Sequence, residues 1–267
     1  MIFFENRRRQ FFRRVDFRLV NVFSENVSYD RFYKLPFNII SCRGKAEKRT
    51  QSYIRNELDG SCWPASGNQI LFIPYGVPIF VHRRPDFFCH DVHFTLESIP
   101  GIDLFQGLRT IYDLSSQIQT AELEEIFRIT DPVTAVLQMQ AFVFRICAAL
   151  LPSVRETPKQ QRFQMLTRRI RDEITADWTV EKMAREACMS TGAFSREFSR
   201  EMHCTAKEFL QKELLIRALF LLQDPGKDIQ AVSDKLHFSS PFYFSKFFRR
   251  MYGVPPREYV KRMGIRT

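Results

Sequence analysis

Two foursomes of residues near the carboxyl end recur at a fixed spacing and include groups able to touch the edges of a nucleic-acid duplex. Thr191, Gly192, Ser195 and Arg196 are answered fifty residues later by Pro241, Phe242, Ser245 and Lys246. A guanidinium can donate two parallel hydrogen bonds to guanine O6 and N7, hydroxyls can serve either kind of base edge, and apolar groups can touch a thymine methyl. Arg196 is read as a base contact, with a phosphate contact or a salt bridge to a nearby glutamate as the alternative. Pro241 and Phe242 are read as thymine-methyl contacts, with a core position as the alternative for Phe242. Arg200, Arg249 and Arg250 suit phosphate oxygens. Ser190 and Ser240 stand where helix starts would offer backbone N–H groups to phosphate.

Two short helices must hold these groups. Ile229, Val232, Leu236 and Phe238 lie at helical spacing and make one buried stripe. Ser239 or Ser240 can cap the next helix, since a hydroxyl there satisfies orphan N–H groups. Phe244, Phe247, Phe248 and Met251 form its inner face, which leaves Ser245, Lys246, Arg249 and Arg250 outside. Gly253 can take the left-handed turn that ends a helix, and Pro255-Pro256 cannot continue it. An earlier copy exists. At an offset of 50, Phe194, Ser195, Arg196, Phe198, Arg200 and Phe209 match Phe244, Ser245, Lys246, Phe248, Arg250 and Tyr259. At 49, Ala184 and Met189 match Ser233 and Phe238, so the second copy has one extra residue in its turn. Phe194, Phe198 and Met202 form the earlier inner face. A repeat of this kind is one supersecondary unit used twice, and its layout is helix-turn-helix. A helix from Thr205 to Leu222 joins the copies and spans about 27 Å. That suits two helices entering successive major grooves about 34 Å apart.

These residues resemble the DNA-binding domain of the AraC/XylS family of bacterial transcription regulators, over roughly Gln164 to Met263. Ile229 to Tyr259 matches the family signature I-x-x-I-A-x-x-x-G-F-x-x-x-x-Y-F-x-x-x-F-x-x-x-x-G-x-x-P-x-x-Y at most positions. It departs at Ser233 (usually Ala) and His237 (usually Gly). Elsewhere His203 replaces a usual Gly and Leu214 a usual Arg. The resemblance implies base contacts at the eight positions above. It further implies contact with RNA polymerase, activation rather than repression, a possible homodimer, and an amino-terminal cupin-like β-barrel for a sugar-like or other small metabolite.

Composition agrees with a DNA partner. The chain of 267 residues carries a net charge of +10. From Arg155 onward there are 22 Lys/Arg against 14 Asp/Glu, so most of the excess lies with the repeat. The six cysteines include no C-x-x-C pair, so most of them read as small buried hydrophobes in a reducing compartment. The basic, aromatic start MIFFENRRRQFFRR lacks the apolar core of a signal peptide, and no apolar run approaches the length of a membrane span. A cytoplasmic protein without membrane contact is expected.

The first half reads as short strands: Phe37 to Ser41, Gln51 to Arg55, Ile70 to Pro74, Val77 to His82 and Phe87 to Leu96. Asp59-Gly60 is a turn, and Pro74, Pro78 and Pro85 limit the strands. This pattern suggests an antiparallel sandwich or barrel. Residues 1 to about 30 read as an arm or a leader packing its phenylalanines. Trp63, Tyr75, His82, Arg84 and His93 are candidates for an effector pocket, with core packing as the alternative for Trp63 and Tyr75. His90 and His93 would point to opposite faces of one strand, which argues against a metal site. Neither metal nor cofactor is implied. Glu122 to Leu151 reads as helical, started by Asp131-Pro132, with Val133, Val136, Leu137, Phe142, Ile146 and Leu150 as its apolar face.

The expected architecture is α+β: an amino-terminal antiparallel β-barrel (cupin-like) with trailing helices, then an all-α domain of two tandem helix-turn-helix units. The effector or dimerisation domain takes residues 1–151 (barrel about 30–118, helices about 119–151). The linker PSVRETPKQQ takes 152–161, and the DNA-binding domain 162–267. Helices are expected at about 162–175, 180–187, 191–202, 206–222, 229–236, 240–251 and 256–263. The function expected is sequence-specific DNA binding with transcription regulation. The rivals are non-specific or architectural DNA binding, and a metal-dependent cupin enzyme fused to a DNA-binding domain. The chain has no G-x-S-x-G, no H-E-x-x-H and no paired-carboxylate motif, so no enzymatic activity is expected.

Overall fold

Prolines stand at some of the corners where the chain passes from one sheet to the other. The computed structural model describes residues 15–25, 27–43, 51–85, 89–150, 163–224, 226 and 228–263. The first fourteen residues of the basic arm and the expected linker 152–161 lie outside them. The strands are β1 (Asp16–Glu25), β2 (Tyr29–Tyr33), β3 (Asn38–Arg43), β4 (Tyr53–Asn56), β5 (Cys62–Pro64), β6 (Gln69–Ile73), β7 (Ile79–Arg83), β8 (Cys89–Ile99), β9 (Ile102–Asp103) and β10 (Tyr112–Asp113). They form two antiparallel sheets among the described residues. One runs β1-β8-β3-β6-β10 with β9 beside β8, and the other runs β2-β7-β4-β5. The chain changes sheet at Pro36, between β2 and β3, and at Pro74 and Pro78, between β6 and β7. Proline offers no N–H to a ladder, so pairing stops at these corners.

The expected barrel is thus two sheets that do not close into one. Within the stretch to about residue 30 that reads as arm or leader, Asp16–Glu25 is strand β1, and strand β2 begins at Tyr29. Strands β3 and β6 are buried along their whole length, so both faces of the larger sheet are covered. Ile40, Cys42, Ile70, Phe72, Val92, Phe94 and Leu96 point to one side. There they meet α1 (Thr120–Arg128) and α2 (Pro132–Leu150). The expected single helix is broken at Ile129–Asp131, and the Asp131 carboxylate accepts from Thr134 N at 2.7 Å. Met139, Phe142, Val143, Ile146 and Cys147 form the inner face of α2, whereas Val133, Val136, Leu137 and Phe144 are exposed. Contrary to the sequence expectation, α2 has the length and mean hydropathy (1.6) of a segment able to cross a membrane.

The carboxyl half is helical: α3 (Gln164–Asp172), α4 (Val180–Glu186), α5 (Thr191–Met202), α6 (Ala206–Leu222), α7 (Ile229–Lys235), α8 (Pro241–Tyr252) and α9 (Pro256–Arg262). Most of these boundaries follow the sequence expectation closely, because five of the seven starts carry a side-chain cap. Thr179, Ser190, Thr205, Asp228 and Ser240 all cap helices by accepting a backbone N–H with the side chain. Thr205 and Glu208 add a reciprocal capping box.

One apolar cluster runs without a break from the sheets into the helices, from Leu35, Phe37 and Ile73 to Phe198, Leu215, Phe248 and Tyr259. A buried ionic cluster crosses the same junction. Glu97 of β8 accepts from Lys212 of α6 and Arg171 of α3. Arg18 of β1 donates through Nη1 to Glu213 Oε2 at 2.7 Å, and Arg171 Nε reaches the same oxygen at 3.1 Å. Glu97 and Lys212 are almost wholly buried. Burial pushes the Glu97 carboxyl up, but the Lys212, Arg18 and Arg171 charges together outweigh it and hold it well below the usual carboxylate range.

Candidate nucleic-acid interface

Helices α5 and α8 present the side chains singled out from the sequence. Buried Phe194, Phe198 and Met202 fix α5 to its unit, and buried Phe244, Phe247 and Phe248 fix α8. A helix anchored by one stripe turns the remaining positions to solvent. Thr191, Gly192 and Arg196 are exposed on α5, and Ser195 is half-buried beside them. Phe242 and Lys246 are exposed on α8, with Pro241 and Ser245 half-buried. Each foursome therefore shares one surface.

Phe242 is 71% exposed and Tyr243 57%, and their rings meet edge to face at 5.7 Å. This places Phe242 on the surface and not in the core. Tyr243 joins that surface and was missed in the sequence. In the run PFYF it looks like core, and only its offset from the stripe of Phe244, Phe247 and Phe248 marks it as outward.

The phosphate candidates surround these faces. Ser190 and Ser240 cap α5 and α8, each hydroxyl accepting a backbone N–H at 3.4 Å. The N–H groups of the first turns then point outward with the positive end of the helix dipole. Arg249 and Arg250 are exposed, and Arg250 lies over the Phe247 ring at 5.9 Å. Arg200 pairs along its own helix with Glu197 at 3.2 Å and Glu201 at 3.3 Å. A phosphate would compete with those carboxylates for it.

The effector candidates do not gather at one place. A cavity of about 50 Å³ lies between the two sheets, lined by Ile39, Ile54, Ile73, Ile79 and Val81 with Arg83, Asp91 and His93. Tyr252, Tyr259, Arg262 and Met263 of the helical half close one side. Of the five candidates only His93 lines it. In β7 the inward residues are Ile79, Val81 and Arg83, so His82 points outward to Asp30 and stacks on Tyr53. Arg84, just past the strand, also pairs with Asp30. Tyr75 lies beneath the Lys212 ammonium at 4.8 Å, and Trp63 packs at the margin of the apolar cluster. Arg83 and Asp91, paired at 3.3 Å, and Arg262 are charged residues of the lining that were not among the sequence candidates. Only a fixed strand register distinguishes Arg83 from Arg84. Burial pulls His93 down to about 4, and its Nδ1 has no hydrogen-bond partner among the described residues.

A family of helix-turn-helix domains matches residues 183–262. The chain carries an AraC-type helix-turn-helix domain. It is 35% identical over 82 residues to the HTH-type transcriptional regulator AlkR of Acinetobacter baylyi, a match covering 31% of this chain and 27% of AlkR. It is 25% identical to the uncharacterized HTH-type transcriptional regulator YidL of Escherichia coli, over 73% of this chain and 67% of YidL. The chain thus spans from about a quarter to two thirds of the length of these curated relatives. ToxT of Vibrio cholerae has the same overall fold, with a TM-score of 0.60 over 93% of this chain and 98% of ToxT, at 13% identity. Another ToxT structure is bound to an unsaturated fatty acid (TM-score 0.60, 13% identity, 95% of this chain and 97% of that one).

Two departures from the family pattern, His203 and His237, fall in left-handed turns. His237 takes a left-handed backbone, φ 58°, where glycine is usual, and Cys188 matches it in the first unit at φ 54°. His203 closes α5 in the same region, φ 54°, as Gly253 does α8 at φ 90°. A non-glycine residue there pays a steric cost. His237 Nδ1 lies 2.5 Å from Asp177 Oδ2, and the hydrogen bond from His237 lowers the Asp177 carboxyl. Beside that pair Ala176 N donates to Leu236 O at 2.8 Å, so the turn of the second unit is tied to the loop that opens the first.

Proposed function

We propose that the chain is a sequence-specific DNA-binding transcription regulator whose α5 and α8 read successive major grooves. The supporting observation is the pairing of two capped, aromatic-anchored helices whose outer faces carry Thr191, Gly192, Ser195 and Arg196 on one and Pro241, Phe242, Ser245 and Lys246 on the other. Phosphate contacts from Ser190, Arg200, Ser240, Arg249 and Arg250 would set register, and the base-edge groups would choose sequence. The domain division of the sequence reading is kept: 1–151 for control, 152–161 as linker, 162–267 for DNA. Contact with RNA polymerase, activation and a cytoplasmic location are proposed by resemblance to the AraC/XylS family. A second copy of the chain is the expected partner for the exposed apolar face of α2.

The cavity between the sheets is the proposed effector site. Its lining is mostly apolar, so the proposed effector is a mainly apolar small molecule; an anionic head would reach Arg83 or Arg262 only in competition with their carboxylate partners Asp91 and Glu258. The fatty acid bound by ToxT has that chemistry. About 50 Å³ is far below the few hundred of a ligand-filled pocket, so entry requires side chains to move.

The deciding experiment is selection from a random duplex pool by the full chain at physiological salt. Enrichment of a two-part motif with its halves about one helical turn apart supports specific reading. Binding without enrichment, with an affinity that falls equally for all sequences as salt rises, makes it a non-specific binder.

A further inference from the structure

We propose that Glu97 and Arg31, both remote from the reading faces, are positioning residues that set the separation between the two recognition helices. The amino-terminal sheets then act as a ruler laid across both helix-turn-helix units. This rests on the DNA-reading function proposed above.

The sheets grip each unit at a different place. At the first unit, Glu97 of β8 takes Lys212 of α6 and Arg171 of α3, and Arg18 of β1 takes Glu213. Close by, Gln106 Nε2 donates to the terminal carbonyls of α5, Met202 O at 3.3 Å and His203 O at 3.1 Å. Gly101 lies so near the same unit that an added Cβ would stand 2.8 Å from the Phe209 ring. At the second unit the grip comes from β2 in the other sheet. Arg31 Nη2 lies 3.5 Å from Glu258 Oε1 of α9, and Tyr33 packs where a Cβ on Gly253 would be 3.3 Å away. Arg262 of α9 stands over the Tyr29 ring at 5.1 Å.

Both grips come from sheets that share one apolar core with the helices. An apolar seam tolerates sliding, but a buried ion cluster does not. Any slip leaves a charge of Glu97 or Lys212 unpaired in the interior, and that is costly. Within the helical half itself, beyond α6, the described polar ties between the units include the exposed Asp177–His237 pair and one backbone hydrogen bond. The helix-turn-helix units alone hold base preference; the sheets add a fixed distance between them.

The test is binding of the full-length chain to duplexes that keep both half-sites of the selected motif and vary the bases between them. Adding one base pair moves the second half by about 3.4 Å and rotates it by roughly 35°. The wild-type chain should prefer one separation over its neighbours by about tenfold or more. In Glu97→Gln and in Arg31→Ala this preference should shrink to about threefold or less, with base preference inside each half unchanged. Lys212→Arg, which keeps the charge, should keep most of it. Arg31 is partly exposed, so Arg31→Ala remains informative if Glu97→Gln fails to fold. A folded Arg31→Ala with the wild-type spacing profile overturns the proposal. So does an equal gain or loss at every separation, which would make the sheets a brake or a support and not a ruler. A wild-type chain without any two-part motif removes the DNA-reading function and the ruler together.

Discussion

Cys188 and His237, forty-nine residues apart, hold the same left-handed backbone at the same point of their helix-turn-helix units, with φ 54° and 58°. Neither side chain is suited to that region, where a Cβ crowds the following carbonyl at a cost of about 1–2 kcal/mol. Cys188→Gly should therefore stabilise the protein by about 0.5–1 kcal/mol, part of the relief being offset by the freer unfolded chain. His237→Gly should gain less, because it also removes the hydrogen bond to Asp177. Denaturant melts of the two variants check this, and a destabilised Cys188→Gly would contradict it.

Arg196 and Arg249 should separate base reading from phosphate contact. Arg196→Ala is expected to cost about 1–3 kcal/mol on the selected site and to relax the preference at one base pair. Arg249→Ala should weaken binding on all sequences alike and lower the salt slope by about one. Titrations on the selected site and a scrambled one, at several salt concentrations, give both readouts. A uniform loss for Arg196→Ala would make it a phosphate contact.

His93 should make stability depend on pH. Burial holds it down to about 4, whereas the unfolded chain titrates near 6.5. The folded state then binds fewer protons between those values, so this residue's contribution is present above 6.5 and is lost as pH falls toward 4. Burial raises Asp103 to about 6 from 3.8, with the opposite sign: stability is gained as pH falls through 6. The two oppose each other between about pH 6 and 4. His93→Leu should remove one side, so the variant gains on wild type by about 2 kcal/mol between pH 7 and 5. A difference between the two melting curves that stays constant with pH would refute this.

The outer face of α2 should be where two chains meet. Val133, Val136, Leu137 and Phe144 are exposed on it, and Leu137 is 59% exposed. Leu137→Arg should leave the fold intact, since the side chain is mostly exposed, and lower the melting midpoint only by the stability that dimerisation adds. It should shift sedimentation from dimer to monomer, because a charge at the centre of an apolar interface is left without water or partner. A wild-type chain that is monomeric at micromolar concentration would dismiss this role.

The sequence by itself determined the helical half. The caps at Ser190 and Ser240, the stripes of Phe194/Phe198 and Phe244/Phe248, and the stop at Gly253 all act within a few residues. Such causes are visible in a linear string, and their recurrence fifty residues apart removed the remaining ambiguity. Only the tertiary structure decided that β1 and β2 are strands, that the expected barrel is two sheets, and that Arg83 rather than Arg84 lines the cavity. It alone brought Glu97 to Lys212, 115 residues away. In the sequence Lys212 and Glu213 look like the solvated face of a helix; a charge declares itself buried only when the partners that neutralise it arrive from other elements.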